Sequence, residues 1–206
     1  MSDLPPQLAP RLRFSRSRRG FTLIELLVVV VLVAILATIA VPGVVERFRE
    51  RRSSEAAQRI AALYRSARMR ALGRGAAVLV RFGSNQFTVY EAIQGPSATN
   101  EDCALLPSAS CLSPDWANTA NRRHEVTRYS PGKLAEDLSV SVNGGATALD
   151  VCFTPMGRAY SRSAPTNTLT PLTSVLTATV QRGSHGLIHR VTVLPNGIAS
   201  VSAEAP

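Results

Sequence analysis

The chain has 206 residues, of which 45% are hydrophobic and 5% aromatic, and its 23 Lys and Arg against 14 Asp and Glu give a net charge of +9. This composition suits one modest domain and excludes a collagen, a coiled coil and a disordered acidic tail. The charge is +4 over residues 1–20, −1 over 21–42, +6 over 43–75 and 0 over 76–206. The excess positive charge therefore belongs to two short segments and not to a basic globular domain.

A run of 20 residues without a charge extends from residue 26 to residue 45. At the helical rise of about 1.5 Å per residue it spans about 30 Å, the hydrocarbon thickness of a bilayer. A buried core helix is the first alternative, but this run is apolar on every side. A cleaved secretory signal peptide is the second, but its apolar stretch is shorter and ends in small residues, whereas this run continues into the charged residues 46–52. We predict a transmembrane helix over residues 21–42.

Two features distinguish this segment from a simple anchor. Glu25 stands at the entry of the apolar run, where an unpaired carboxylate costs about 2.5–3.5 kcal/mol at the bilayer centre, so we expect it to have a partner. Pro42, followed by Gly43, lacks a helical donor late in the run. The pair predicts a bend or local melting of the helix.

The segment RRGFTLIELL at residues 18–27, followed by Val41 and Pro42, resembles the class III signal of type IV pilins and pseudopilins. The resemblance implies that prepilin peptidase cleaves between Gly20 and Phe21 and then methylates the new α-amine of Phe21. It implies also that Glu25 pairs with the α-amine of a neighbouring subunit during assembly. Five arginines precede the span and four follow it closely, so the positive-inside rule gives no orientation. The resemblance places the leader, residues 1–20, in the cytoplasm and the rest in the periplasm.

After the span, residues 43–74 keep a helical pattern with an apolar stripe, and Gly73 is a plausible stop. Short strands with turn signals then follow through the β-rich domain, residues 75–206. They are predicted at 76–82, 86–90, 139–142, 148–153, 175–180, 187–194 and 198–201. The chain is expected to turn at residues 83–85, and hairpins are expected around Asn143 to Gly145 and at the Asn196-Gly197 pair. Residues 91–136 and 161–177 are expected to be mainly loops. The fold class is α+β, with a long N-terminal helix, transmembrane and then amphipathic, packed on an antiparallel sheet as in pilins.

The segment FTPMGRA at residues 153–159 resembles a motif of the general secretion pathway protein H and fimbrial protein T group. Together with the N-terminal signal, it identifies the chain as similar to minor pilins and pseudopilins. The resemblance implies a structural component of the type II secretion system or the type IV pilus. Its expected partners are prepilin peptidase, other pilins or pseudopilins, the inner-membrane assembly platform and the lipid bilayer.

The chain has three cysteines, Cys103, Cys111 and Cys152. One disulfide is expected in an oxidising periplasm, and Cys103 with Cys111 is the favoured pair because the two enclose a short loop. Alternation along its strand leaves Cys152 facing away from Val151 and Phe153, so Cys152 pairing with a loop cysteine is the alternative. No metal-ligand spacing or catalytic motif occurs, so neither a metal, a cofactor nor an enzymatic activity is expected.

DNA binding by a minor pilin of natural transformation is the alternative function. It would use Arg182 and Arg190, which lie near His185 and His189 in sequence. Apart from this role, the three histidines, His124, His185 and His189, are expected to be exposed. Arginine contacts to phosphate predict salt-sensitive binding that is independent of sequence. A third possibility, a bitopic receptor without processing, would retain residues 1–20.

Overall fold

The structure, a computed structural model, describes residues 21–96, 106–112, 116, 121–183 and 185–205. The predicted leader and Cys103 lie outside this part of the chain. The chain divides into two compact units, residues 1–45 and 46–206. The first contains the start of a long helix, and the second contains the rest of that helix and the strands.

The elements follow in chain order, and they confirm the α+β class and the long N-terminal helix. They are α1 (Leu23–Arg74), β1 (Val78–Gly83), β2 (Gln86–Pro96), β3 (Asn121–Tyr129), a 3₁₀ helix (Pro131–Lys133), β4 (Leu138–Val142), β5 (Ala148–Phe153), β6 (Ala159–Arg162), β7 (Thr170–Pro171), β8 (Leu176–Arg182), β9 (His185–Val193) and β10 (Ala199–Glu204).

The strands form two antiparallel sheets. The first has the order β3-β2-β1-β5-β6-β7, and the second has the order β10-β9-β8-β4. Both contribute to one core with the second half of α1, whose apolar stripe is buried. That stripe consists of Ala56, Ala57, Ile60, Ala61, Tyr64, Ala67 and Ala71. Burial of this stripe stabilises a helix segment that local propensity alone leaves marginal.

Local signals predicted several boundaries well. α1 ends at Arg74, one residue after Gly73, and Gly75 takes a positive φ of 68° as its amide hydrogen-bonds to Ala71 O. This is a helix end with a left-handed glycine. β1 and β2 form a hairpin around Ser84 and Asn85, whose φ values of 52° and 54° are those of a type I′ turn. β9 and β10 form the predicted hairpin at the Asn196-Gly197 turn.

The hairpin predicted around residues 143–145 was wrong. The turn is present, because Gly145 N donates to Val142 O at 3.0 Å. However, β4 pairs with β8 in the second sheet, and β5 pairs with β1 and β6 in the first. Five of the six residues of β5 are buried, so this strand needs neighbours on both edges, whereas β4 is an edge strand.

Two segments predicted to be loops contain strands. β3, with the polar sequence NRRHEVTRY, pairs with β2 at the edge of the first sheet. β7 pairs with β6, and Leu169 and Leu172 beside it are buried. β3 is charged and β7 has only two residues, so neither shows the apolar alternation that indicates a half-buried strand, and this explains the error.

The first sheet is covered on both faces. Val78 and Val80 of β1 belong to the core with α1, whereas Leu79 belongs to a second buried cluster on the opposite face. That cluster consists of Ala77, Leu79, Ala92, Cys111, Trp116, Cys152 and Leu169. Cys111 and Trp116 therefore cover part of a sheet face that would otherwise be exposed.

Candidate assembly site

The start of α1 is capped by Thr22. Its Oγ1 accepts a hydrogen bond from the backbone N–H of Glu25 at 3.2 Å, and its carbonyl accepts the N–H of Leu26 at 3.2 Å. Thr22 is thus the N-cap and Glu25 the N3 residue, the spacing of a capping box. Glu25 was predicted from the sequence as a functional residue, but the capping role of Thr22 was not, although the T-x-x-E spacing indicates it.

Phe21 and Glu25 lie close in sequence at this helix end, and both are exposed. The carboxylate of Glu25 is in the first turn, where the positive end of the helix dipole stabilises a negative charge. An amine at Phe21 would lie about one turn before Glu25. The arrangement offers an anionic group beside the position at which cleavage would create a cationic one.

The apolar segment that follows is exposed among the residues that the structure describes. Within the described ranges, one helical segment is long and apolar enough to cross a membrane, Leu23–Val41, and none of it is buried. Its large side chains are about half exposed or more, from Val28 at 48% to Leu23 at 82%. An apolar surface of this length would be strongly unfavourable in water, so it requires lipid or other apolar helices.

α1 runs through Pro42 and Gly43 as a continuous α-helix in this structure, and local melting at this pair stays a prediction. A bend at this position stays a prediction. A Cβ at Gly43 would meet nothing within 4 Å, so glycine is not required there by a close contact in the part of the chain that the structure describes.

The disulfide joins Cys111 to Cys152, with their Cα atoms 6.0 Å apart. The favoured pairing of Cys103 with Cys111 was wrong, and the alternative, in which Cys152 bonds a loop cysteine, is what the structure contains. Cys152 does face away from Val151 and Phe153, as alternation predicts, but that face is covered and Cys152 is completely buried. Cys111 and Trp116 pack on the same face as Cys152, so the disulfide holds Cys111 against the first sheet.

Two family models match the sequence. Residues 15–41 match the prokaryotic N-terminal methylation motif. Residues 56–197 match the family described as type II transport protein GspH. This second match covers more than half of the chain. The chain belongs to the GspH family.

Individual proteins are similar over smaller parts or at lower identity. The type IV major pilin protein PilA of Myxococcus xanthus is 46% identical over 52 residues, which are 25% of this chain and 24% of that pilin. Two crystal structures of the type IV minor pilin FimU of Pseudomonas aeruginosa are 11% identical to this chain. One has a TM-score of 0.44 and covers 78% of this chain and 91% of that chain. The other has a TM-score of 0.37 and covers 74% and 92%.

Membership of the GspH family has direct consequences. The chain is a structural protein of the pseudopilin and minor pilin class, not an enzyme, and a component of type II secretion or the type IV pilus. Its methylation motif implies processing by prepilin peptidase, and GspH pseudopilins assemble with other pseudopilins. The apolar start of α1 is consistent with anchoring in the inner membrane before assembly.

The arginines predicted to contact DNA have acidic partners in this GspH-family domain. Arg182 forms an ion pair with Asp137, and Arg190 Nη2 lies 3.0 Å from Glu204 Oε2. His189, expected to be exposed, is 5% exposed, and its Nε2 lies 2.6 Å from Glu50 Oε1. Because these side chains are directed to carboxylates of the same chain, the structure does not bring them together as a phosphate-binding cluster.

Two buried carboxylates were missed by the sequence analysis. Asp150 is 1% exposed and binds Arg81 through both oxygens at 2.9 Å and Arg162 at 2.7 Å. Burial acts to lower the pKa of Arg81, but the hydrogen bond and charge of Asp150 outweigh it and the pKa is raised. Glu91, also 1% exposed, binds Arg70 and Arg74 of α1. Both carboxylates occur within apolar strands, and a charge at such a position is the signal for a buried partner.

Among the described residues, no group of three or more His, Cys, Asp or Glu side chains could hold a metal ion. The ionic networks instead join elements distant in sequence, and each places one buried carboxylate between two arginines. The candidate functional site is therefore the helix start with the exposed apolar segment after it.

Proposed function

We propose that this protein is made as an inner-membrane precursor, cleaved between Gly20 and Phe21, methylated at Phe21 and assembled through α1 into a periplasmic filament. In this arrangement residues 1–20 are a cytoplasmic leader, 21–42 span the membrane, 43–74 form the amphipathic part of the helix, and 75–206 form the periplasmic domain. The observation that carries the proposal is the wholly exposed apolar segment Leu23–Val41 directly after the methylation motif.

Glu25 supplies the specific step of assembly. Its carboxylate attracts the α-amine that cleavage creates on Phe21 of another subunit, and in the apolar surroundings of a membrane this attraction is stronger than in water. The pairing sets the axial register of one helix against the next. Pro42, which lacks an amide proton, makes the helix easier to unwind near Gly43 when the subunit leaves the bilayer.

Processing is tested by expressing the full chain with and without prepilin peptidase and measuring intact mass. The expected product lacks residues 1–20 and carries one extra methyl group. Gly20→Leu should abolish the change, while a product of full-length mass in the presence of active peptidase would support an unprocessed bitopic receptor instead.

Assembly is tested by shearing filaments from a strain deleted for the gene and complemented with variants. Glu25→Ala should be processed yet fail to restore filaments, whereas Glu55→Ala, at an exposed glutamate of the same helix, should restore them. Loss of pili in the deletion strain would place the protein in type IV pilus assembly. If the deletion strain has pili at the level of its parent but has lost protein secretion, the protein would belong to the type II secretion pseudopilus.

DNA binding through Arg182 and Arg190 remains a prediction, and no described contact favours it. Filter binding of the full chain in detergent measures it directly. If both arginines contact phosphate, changing both to Gln should reduce the slope of log affinity against log salt by about 2. An unchanged slope would remove these residues from consideration.

A further inference from the structure

A groove lies in the unit formed by residues 46–206, between α1, the segment after the 3₁₀ helix, and the end of β8. Its volume is about 690 Å³, within the roughly 300–1,000 Å³ range of small-molecule sites. Charged side chains dominate its lining, and they come from all three parts of the wall. They are Arg49, Arg52, Lys133, Glu136, Asp137 and Arg182.

The lining has an excess of positive charge. Four cations face two carboxylates, and one carboxylate, Asp137, is already paired with Arg182. Arg52 and Lys133 are exposed, and they approach the groove from α1 and from the end of the 3₁₀ helix. A guanidinium and an ammonium on different walls suit a phosphate, which accepts hydrogen bonds from several directions.

The position of these cations along the chain indicates the source of the phosphate. The apolar segment ends at Val41, and Arg49 and Arg52 follow it by eight and eleven residues. Along the chain they therefore follow the apolar segment by about two and three helical turns. A bilayer has a headgroup layer several Å thick beyond its hydrocarbon core, and long arginine side chains extend towards it.

We propose that this groove binds the phosphate of an anionic phospholipid headgroup on the periplasmic face of the membrane. The bound lipid holds the globular unit against the bilayer before assembly and is left behind when the subunit is extracted. This inference rests on the membrane insertion stated under Proposed function. It differs from that function in naming a headgroup site outside the apolar helix.

The test uses the full chain in nanodiscs of phosphatidylcholine with a minor fraction of a phosphatidylglycerol that carries a photoreactive headgroup. Crosslinked peptides are mapped by mass spectrometry, and label is expected on residues 131–137. At about 1 kcal/mol per cation, Arg52→Gln with Lys133→Gln should weaken labelling about 10- to 30-fold in a titration of lipid fraction. The matched control, Arg65→Gln with Arg158→Gln, removes two exposed charges elsewhere and should label as wild type.

Several outcomes would overturn the inference. Equal labelling by a photoreactive phosphatidylcholine would exclude selection of an anionic lipid, and equal losses in both double variants would show only an effect of net charge. Displacement of the label by glycerol phosphate in solution would indicate a site for a soluble phosphate. The inserted fraction is measured separately by alkaline extraction. Insertion without labelling refutes the headgroup site alone, whereas failed insertion refutes the proposed membrane anchor.

Discussion

Asp150 is the position at which a single atom change should affect stability most clearly. Its carboxylate is 1% exposed, and it neutralises Arg81 and Arg162, which are 18% and 9% exposed. Asp150→Asn keeps the shape but leaves two guanidinium groups without a counter-charge in a buried site. Breaking a buried ion pair from one side costs about 3–5 kcal/mol, and we expect about 3 kcal/mol because both arginines retain some contact with water.

The assay is urea unfolding of the full chain in detergent, followed by fluorescence of Trp116. This is the only tryptophan of the sequence, it is 2% exposed, and its carbonyl accepts a hydrogen bond from Arg81 Nη1 at 3.1 Å. With an m-value of about 2 kcal/mol/M, a loss of 3 kcal/mol lowers the midpoint by about 1.5 M.

The matched control is Asp137→Asn, which removes the same charge from a carboxylate that is 48% exposed and pairs with Arg182. An exposed pair contributes about 0–1 kcal/mol, so its midpoint should move by less than about 0.5 M. If Asp150→Asn shifted the midpoint no more than this control, burial would not determine the strength of these ion pairs, and our reasoning would be wrong.

Three further effects can be measured with the same assay. Cys152→Ser removes the disulfide between residues 41 apart and should lower the free energy of unfolding by about 4 kcal/mol through loop entropy. In Cys103→Ser, a protease digest without reductant should still contain the peptides of Cys111 and Cys152 joined by the disulfide. Gly197 has a φ of 77°, and Gly197→Ala places a Cβ 3.1 Å from the Phe153 ring and the Arg68 side chain, so it should lower the free energy of unfolding by about 2 kcal/mol. Gly144→Ala, at a φ of 76° with open space around the Cβ, should cost less. Equal losses in the two variants would leave backbone strain as the sole cause. Burial, assisted by the Asp150 charge, raises the pKa of Tyr64 in the folded protein. Above pH 10 the unfolded chain therefore ionises first, and the free energy of unfolding should fall by about 1.4 kcal/mol per pH unit. Tyr64→Phe should remove this slope, and a slope that persists would belong to another group.

Features determined by residues close in sequence were predictable, whereas those determined by residues far apart in sequence were not. The turns at Ser84-Asn85 and Asn196-Gly197 and the strands beside them were predictable because residues close in sequence determine them. β3 was missed because it is stabilised by its pairing with β2, and its own polar sequence does not indicate a strand. His189 was expected to be exposed, since the carboxylate of Glu50 that covers it is 139 residues away in sequence.

The candidate site could be predicted almost completely from the sequence. Glu25, the apolar run and the methylation motif lie within one continuous segment, and the run is exposed in the structure. Only the Thr22 cap was overlooked, although it too is a local feature. The pairing between subunits involves a second molecule and stays a prediction.

By itself, the sequence determined the long helix, its apolar segment, the strand-rich domain and the family, because periodicity and short motifs act over neighbouring residues. Only the tertiary structure decided that β4 and β5 enter different sheets, that Cys152 bonds Cys111, and that Asp150 is buried between two arginines. In each case several partners were locally acceptable. The choice among them depended on contacts between residues far apart in sequence, which bury Cys152 in its disulfide and place Asp150 beside Arg81 and Arg162.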